Sequence, residues 1–296
     1  MTFLDDAAAL TPPICWESML SRRGLLLAAA AFPALAKTHG VEIGVCGRIE
    51  DFGNAVDYGF DYFEPAAAAV AGLSDGAFAD FQKRVLASPL RCKRFNSLLR
   101  TLRVVGPEAS PDALTEYLNS TLDRCRHLGA EVVVWGSAGS RNVPAGYSRD
   151  GAWQDIRRFL RLAGEIAQAR RIVIAIEPLR KEESNILNTG AEALRMVREV
   201  DHPQVKMIID YYHLREQKED PQIIYQAKDQ IVHLHFANPQ GRRWPRSLDE
   251  DPEYRRFFAL LKKSRYRGGI SIEGRGTFAD DAAASLAFFR AGLKRG

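Results

Sequence analysis

No two cysteines in this sequence stand at metal-binding or redox spacing. Cys15, Cys46, Cys92 and Cys125 lie far apart, so neither a zinc knuckle nor a disulfide scaffold is indicated. At 296 residues a hydrophobic core suffices without such staples. There is no block of one charge either. Lys and Arg total 41 against 37 Asp and Glu, a net +4, which leaves nucleic-acid binding without electrostatic support. No glycine fingerprint follows the first strand-like run, and Gly136-Ser137-Ala138-Gly139 after the fourth lacks the third glycine of a dinucleotide site. Composition is otherwise average: 46% hydrophobic and 26% charged residues exclude a disordered or fibrous chain.

Also missing is an apolar run long enough to cross a bilayer. The most apolar stretch, Gly24 to Ala36, has 13 residues, where a span needs about 20. It follows Arg22-Arg23 and ends in Ala34-Leu35-Ala36, a small-x-small cleavage site. Residues 1–36 are therefore expected to be an export signal of the twin-arginine type, and residues 37–296 the catalytic domain. Asp5, Asp6 and Glu17 sit where a signal should be basic, whereas translation from Met19 would begin Met-Leu-Ser-Arg-Arg. The competing reading is an apolar helix docked on the domain. The signal implies the export machinery as a partner and a periplasmic or exported location; without it the location is cytoplasmic. Removal of Cys15 with the signal leaves three cysteines, expected to be buried thiols.

From residue 41 onward, β-branched runs alternate with helical patterns. The runs are Val41–Cys46, Phe60–Glu64, Leu90–Asn96, Glu131–Gly136, Ile172–Glu177, Val205–Asp210, Ile231–Phe236 and Gly269–Glu273. Several are almost continuously apolar, as parallel strands covered on both faces must be. Ser110-Pro111, Asp220-Pro221 and Asp251-Pro252 each set a capping side chain before a proline suited to the first helical position. In the first of these helices Leu114, Leu118, Leu122, Cys125 and Leu128 recur every three or four residues, and Gly129 closes it. Eight strand–helix units predict an α/β fold, a single-domain (β/α)8 TIM barrel; a doubly wound sheet is the competitor.

In such a barrel the active site lies at the C-terminal strand ends. The fifth strand ends in Glu177, the sixth in Asp210 and the eighth in Glu273, while the seventh carries His233 and His235. Because residues i and i+2 share a side of a strand, Ala175, Ile208, His233 and Ser271 should form a layer beneath Glu177, Asp210, His235 and Glu273. Three converging carboxylates repel unless neutralised. A divalent cation neutralises the whole set and uses the imidazole, and three oxygens with one nitrogen favour Mn²⁺ or Mg²⁺ over structural zinc.

Ile176-Glu177-Pro178-Leu179, Glu183-Ser184-Asn185, Asp210-Tyr211-Tyr212-His213, His233-Leu234-His235 and Ile272-Glu273-Gly274 resemble the sugar phosphate isomerase/epimerase family with its xylose-isomerase-like TIM barrel, the ketose 3-epimerases above all. The resemblance spans roughly residues 41–290. It implies one divalent ion (Mn²⁺ first, with Mg²⁺, Co²⁺ or Zn²⁺ as alternatives) held by Glu177, Asp210, His235 and Glu273. It also implies Glu177 and Glu273 as the catalytic acid/base pair, and Glu183 and His213 as contacts to substrate hydroxyls. The epimerases place a substrate-binding arginine six residues after the ligand histidine; here that position is Gly241, with Arg242 and Arg243 next to substitute. The partner implied is a small sugar or sugar derivative. No nucleic acid or membrane span is implied, and a homo-oligomer stays open.

Other residues have two readings each. Glu64 ends the second strand and either faces the site or forms a rim ion pair. Trp135 and Trp244 either stack on a sugar or belong to the core. Arg141 and Arg275 either hold an anion or are solvated or paired. His39, His127 and His202 lie off the strand ends and read as structural. Asn119-Ser120-Thr121 matches a glycosylation pattern but sits mid-helix. The function expected is a metal-dependent sugar isomerase or epimerase acting by proton abstraction beside a carbonyl through an ene-diolate. A lyase or dehydratase on an inositol or oxidised sugar, and a non-enzymatic sugar-binding protein, are the alternatives. An endonuclease of the same barrel type needs more metal-binding histidines than the six present.

Overall fold

The β-branched runs form eight strands: β1 (Glu42–Gly47), β2 (Tyr62–Pro65), β3 (Arg94–Phe95), β4 (Val132–Trp135), β5 (Val173–Ile176), β6 (Val205–Asp210), β7 (Ile231–Phe236) and β8 (Gly269–Ile272). They are seen in a computed structural model that describes residues 40–294; the expected export segment, residues 1–36, lies outside the described residues, as does His39. The strands pair in parallel in the order β2-β1-β8-β7-β6-β5-β4-β3. Between the two ends of that order the Asn96 N–H donates to the Pro65 carbonyl at 3.2 Å and the Ala67 N–H to the Asn96 carbonyl at 2.8 Å. The sheet is thus a nearly closed TIM barrel, a single domain. Among the described residues no helix is long and apolar enough to cross a membrane.

The strand between residues 90 and 96 is shorter than its apolar run. Its ladder is confined to Arg94–Phe95, because the Lys93 carbonyl is shared between the Glu131 and Val132 N–H groups and Ser97 turns left-handed at φ 48°. The helix after Ser110 runs Pro111–His127 with Ser110 Oγ accepting from the Ala113 N–H at 3.3 Å. Its apolar stripe is buried, and Gly129 leaves it at φ 103°, a conformation that favours glycine. The other two Asp-Pro pairs open turns instead of helices. Asp220 and Asp251 accept from the N–H two residues on, and the helices, Ile223–Gln226 and Tyr254–Ser264, start just beyond.

Inside the barrel Val132, Val134, Ala175 and Ile208 pack together. The register sets Ile208 beside His233, Asp210 beside His235, and His235 beside Ser271. Between β6 and β7 this is the layering expected from strand alternation; between β7 and β8 the register differs, pairing Ser271 with His235 and Gly269 with His233. Cys46, Cys92 and Cys125 are free thiols, the last two buried.

Candidate active site

Four neighbouring strand ends deliver one donor each. Glu177 follows the last residue of β5, and its N–H is held by the Trp135 carbonyl at 3.2 Å. Glu273 follows β8, its N–H donating to the Phe236 carbonyl at 3.1 Å. Asp210 closes β6 and caps the helix Tyr211–Glu216, Oδ1 accepting from the Tyr212 N–H at 2.7 Å. His235 lies near the end of β7 and is fully buried. One ligand atom from each of the four lies within 4.8 Å of all the others. Since β5 and β8 flank β6 and β7, Glu177 and Glu273 approach from opposite sides of Asp210 and His235. Gly136 makes room for this: a Cβ there would stand 1.7 Å from Glu177 Oε2.

Beneath the quartet is a buried polar layer. The His235 Nε2–H donates to Glu64 Oε1 at 2.8 Å, and His233 Nε2 meets Glu64 Oε2 at 2.9 Å. Ser271 Oγ donates to the same oxygen, Tyr62 Oη lies 2.7 Å from Ser271 Oγ, and His233 Nδ1 faces the Gly269 carbonyl at 3.0 Å. Glu64 is fully buried and makes no rim ion pair. Occupation of Nε2 leaves His235 Nδ1 pointing at Glu177 Oε1, 3.0 Å away.

Charge is distributed unevenly over these groups. Burial alone would raise the Glu177 carboxyl, but the charge and hydrogen bond of His235, then His213 and Arg242, hold it down at about 2. Burial, then the charges of Glu177 and Glu273, push Asp210 up to about 8. Burial also raises Glu273, against the pull of His235. For His235, burial is outweighed by Glu64 and Glu273, which hold the imidazole well above its ordinary range. Burial and its two histidines act oppositely on Glu64, and the histidines win, keeping it ionised.

This donor set fits a divalent cation. Three carboxylates and one imidazole nitrogen suit Mn²⁺ or Mg²⁺, and Asp210 Oδ2 is buried without a hydrogen-bond partner although Oδ1 is satisfied. A buried unpaired carboxylate oxygen is costly unless something completes it. Cys46 Sγ, Glu64 and His235 also lie close together, with Cys46 Sγ 4.0 Å from His235 Nε2. That nitrogen belongs to Glu64, however, and burial pushes the Cys46 thiol up. His235 is the one histidine in either group among the described residues, which gives no support to a multi-histidine metal cluster.

The residues expected around the quartet come in at different distances. The His213 ring is buried, accepts at Nδ1 from the Arg180 N–H at 3.3 Å, and sets Nε2 3.5 Å from Asp210 Oδ2. Burial drives its pKa down to about 3, so it is neutral. Arg242, next to Gly241, is turned towards the quartet. Gly241 and Arg242 both turn left-handed, φ 78° and 51°, folding the guanidinium back to 2.7 Å from Glu273 Oε2 and 4.8 Å over the Tyr212 ring. Glu183 is one step removed, 3.5 Å from Arg242 Nη1 and 2.8 Å from Arg180 Nε. Arg243 instead reaches the Gln240 carbonyl.

Arg141 corrects the expectation of a solvated or paired side chain. It is fully buried, donating to the Glu177 carbonyl at 2.7 Å and the Trp135 carbonyl at 3.2 Å; burial lowers it only to about 10, so it stays charged. Arg275 is exposed. Trp135 is core, donating to Ser140 Oγ and packed on Phe159. Trp244 is mostly buried, its indole N–H donating to the Gly274 carbonyl, and it edges an open cleft of about 690 Å³ that also touches Cys46, Asn96 and Glu273. Asn119 Oδ1 accepts from Arg170, just beyond the helix Arg149–Gln168, His127 is exposed, and His202 accepts from the Gln204 N–H. The Arg141 and Gly136 roles carry no sequence signal beyond an arginine and a glycine shortly after a strand.

Residues 52–292 match the family described as xylose isomerase-like TIM barrel. The chain is 30% identical over 251 residues to the L-ribulose 3-epimerase of Methylomonas sp. (strain DH-1), covering 76% of this chain and 84% of that protein. It is 30% identical over 179 residues to the 3-dehydro-D-guloside 4-epimerase of Escherichia coli (strain K12), covering 57% of this chain and 67% of the relative. Its fold superposes on a D-allulose 3-epimerase from Methylomonas sp. with a TM-score of 0.73 at 20% identity, over 85% of this chain and 98% of the other.

Proposed function

The chain belongs to the xylose isomerase-like TIM barrel family, and on that premise we propose that it is a divalent-metal-dependent epimerase or isomerase of keto-sugars. It is an enzyme of the isomerase class, as are the epimerases similar to it. The supporting observation is the convergence of Glu177, Asp210, His235 and Glu273 around one buried, unpartnered carboxylate oxygen. An ion held there, Mn²⁺ first and otherwise Mg²⁺, Co²⁺ or Zn²⁺, would supply Lewis acidity to a substrate carbonyl and its neighbouring hydroxyl.

Glu177 and Glu273 serve as the acid/base pair. They stand on strand ends that flank Asp210 and His235 on either side, so each carboxylate can reach one side of a carbon held over the quartet. Proton removal by one and return by the other, from opposite flanks, inverts the carbon next to the carbonyl. Return to a different carbon isomerises the sugar. His213 is neutral with Nδ1 already accepting, so its Nε2–H is free to donate to a substrate hydroxyl. Arg242 spans Glu273 and Glu183 and orients further hydroxyls. Residues 1–36 export this domain through the twin-arginine route, a reading supported by Arg22-Arg23 and Ala34-Leu35-Ala36.

The test is incubation of Mn²⁺-loaded protein with keto-sugars and inosones in D₂O. Deuterium entering at one carbon beside the carbonyl, and lost on chelation, is the expected result. No uptake from any of them with metal bound would overturn the reading.

A further inference from the structure

The interior of this barrel is divided in two. On the side of β4 to β6 it is filled by Val132, Val134, Ala175 and Ile208, apolar residues of the kind usual inside such barrels. On the side of β1, β2, β7 and β8 it holds Tyr62, Glu64, His233 and Ser271, each of them fully buried. Polar groups taken out of water cost stability unless each finds a partner. Apolar side chains would fill the same space without that cost, so the polar filling points to a use.

The polar side chains are joined, and the bonds converge on Glu64. Its Oε1 accepts from the His235 Nε2–H at 2.8 Å. Its Oε2 meets His233 Nε2 at 2.9 Å and accepts from the Ser271 hydroxyl. With the Ser271 proton committed to Glu64, the Tyr62 O–H, 2.7 Å from Ser271 Oγ, is the donor of that pair. Tyr62 is held from the N-terminal strand ends: the Arg94 guanidinium lies 4.6 Å over its ring and donates to Glu42 at 2.7 Å. Two glycines leave room for the arrangement. A Cβ at Gly44 would stand 2.2 Å from Tyr62 Cε2, and one at Gly269 2.6 Å from Tyr62 Oη and 3.0 Å from Arg94 Nε. Both oxygens of Glu64 are thereby tied, so the carboxylate cannot turn away from His235 without breaking a bond.

We propose that Tyr62 and Ser271 are positioning residues of the metal site: they hold Glu64 where it fixes the ring of His235. This rests on the reading of the quartet as a divalent-cation site and deepens it. Neither residue touches ion or substrate. Ser271 acts through Glu64 and His235, and Tyr62 acts through Ser271. A ligand histidine is oriented by the carboxylate behind it, and the side-chain torsions of that carboxylate have to be fixed in turn.

The experiment is calorimetric Mn²⁺ titration of wild type, Ser271→Ala and Tyr62→Phe, each variant also combined with Glu64→Gln. Melting temperatures of the metal-free proteins are measured alongside. Ser271→Ala should weaken Mn²⁺ binding by about 10-fold, the low end of what losing an outer partner does. Tyr62→Phe should weaken it by about threefold, the scale of one uncharged hydrogen bond. On a Glu64→Gln background neither change should weaken it by more than about a further twofold, since no carboxylate is left to aim. Val134→Ala, a cavity on the apolar side of the same interior, controls for loosening: it should lower the melting temperature and leave Mn²⁺ affinity within about twofold. Tyr62→Phe keeps the ring under Arg94 and decides the matter alone if Ser271→Ala does not fold. Unchanged Mn²⁺ affinity in the folded variants, losses that multiply in full with that of Glu64→Gln, or equal weakening by Val134→Ala would overturn the positioning role and leave the metal site standing. A wild type that binds no Mn²⁺ would overturn the metal site and this role with it.

Discussion

Glu64 Oε1 lies 2.8 Å from His235 Nε2 with both side chains fully buried, and this one contact decides which nitrogen of His235 faces the quartet. A carboxylate behind a ligand histidine fixes its tautomer and raises its basicity. Glu64→Gln tests the charge without the shape. The amide oxygen can accept from His235 Nε2–H, and the amide NH₂ can donate to His233 Nε2. We expect Mn²⁺ affinity to fall by about 10- to 100-fold with little change in melting temperature. Unchanged affinity, measured by calorimetry, would reduce Glu64 to a purely structural part.

The quartet and the barrel were legible because both follow from period. Strand alternation separates His233 from His235 by function before any contact is known: the first holds Glu64 and the second faces the quartet. Runs such as Val205–Asp210 are apolar enough to name their own strand. Where several local geometries must agree, the chain gives less away. Arg242 reaches Glu273 only because two consecutive residues turn left-handed. Arg141 is buried against carbonyls brought together by β4 and β5, and a guanidinium held by carbonyls leaves no pairing pattern in sequence. The short β3 reflects hydrogen bonds to a neighbouring segment, and the helix at Ile223 starts late because Asp220 first closes a local turn.

Gly136→Ala should separate site from fold. The added methyl would stand 1.7 Å from Glu177 Oε2 and 2.8 Å from Cδ, so the end of the Glu177 side chain has to swing aside. The barrel can absorb that, since a side-chain tip moves and no backbone does. We expect a melting temperature within a few degrees of wild type and activity lower by about 100-fold, the scale set by small misplacements of catalytic groups. Near-wild-type activity would show that Glu177 works from another position.

Asp210 predicts a pH dependence of stability in protein stripped of divalent ions. Its folded pKa, about 8, is raised from 3.8. Between those values the folded state binds the proton that the unfolded state has released, so stability falls as pH rises through that window and levels off above it. Asp210→Asn removes this loss while keeping an acceptor for the Tyr212 N–H. The melting temperature of the variant minus that of wild type should therefore grow from pH 5 to pH 8. Added Mn²⁺ should raise the wild type most at pH 8 and leave the variant nearly unmoved. A difference that stays flat with pH would mean Asp210 is not raised.

Residues 1–36 carry an expectation of their own. Native protein should begin at Lys37, and Arg22→Lys combined with Arg23→Lys should abolish export while the protein folds and binds Mn²⁺ normally. Mass spectrometry of the native chain and fractionation of expressing cells give the readout. A native mass that includes residues before Lys37, or export that survives both lysines, would remove the signal and leave the apolar segment as part of the folded protein.

On the proposed reading Glu177 and Glu273 both supply an oxygen to the same ion, and they can still be told apart as bases. They enter from strands on either side of β6 and β7, so each serves one side of the reacting carbon. Gln at either position keeps the shape and a weaker ligand oxygen but accepts no proton. Glu273→Gln should bind Mn²⁺ with reduced affinity and still wash deuterium into the epimer whose proton faces Glu177. Net epimerisation should drop by about 10²- to 10⁴-fold, the scale of a lost general acid/base. Glu177→Gln should show the mirror image with the opposite epimer. Because each variant also weakens a proposed metal ligand, exchange has to be compared at saturating Mn²⁺. Equal loss of exchange from both epimers in both variants would point to one base elsewhere. His213 is then the first to examine, since its Nε2 lies 3.5 Å from Asp210 Oδ2; to act as the base it has to take the other tautomer and give up the Arg180 N–H at Nδ1.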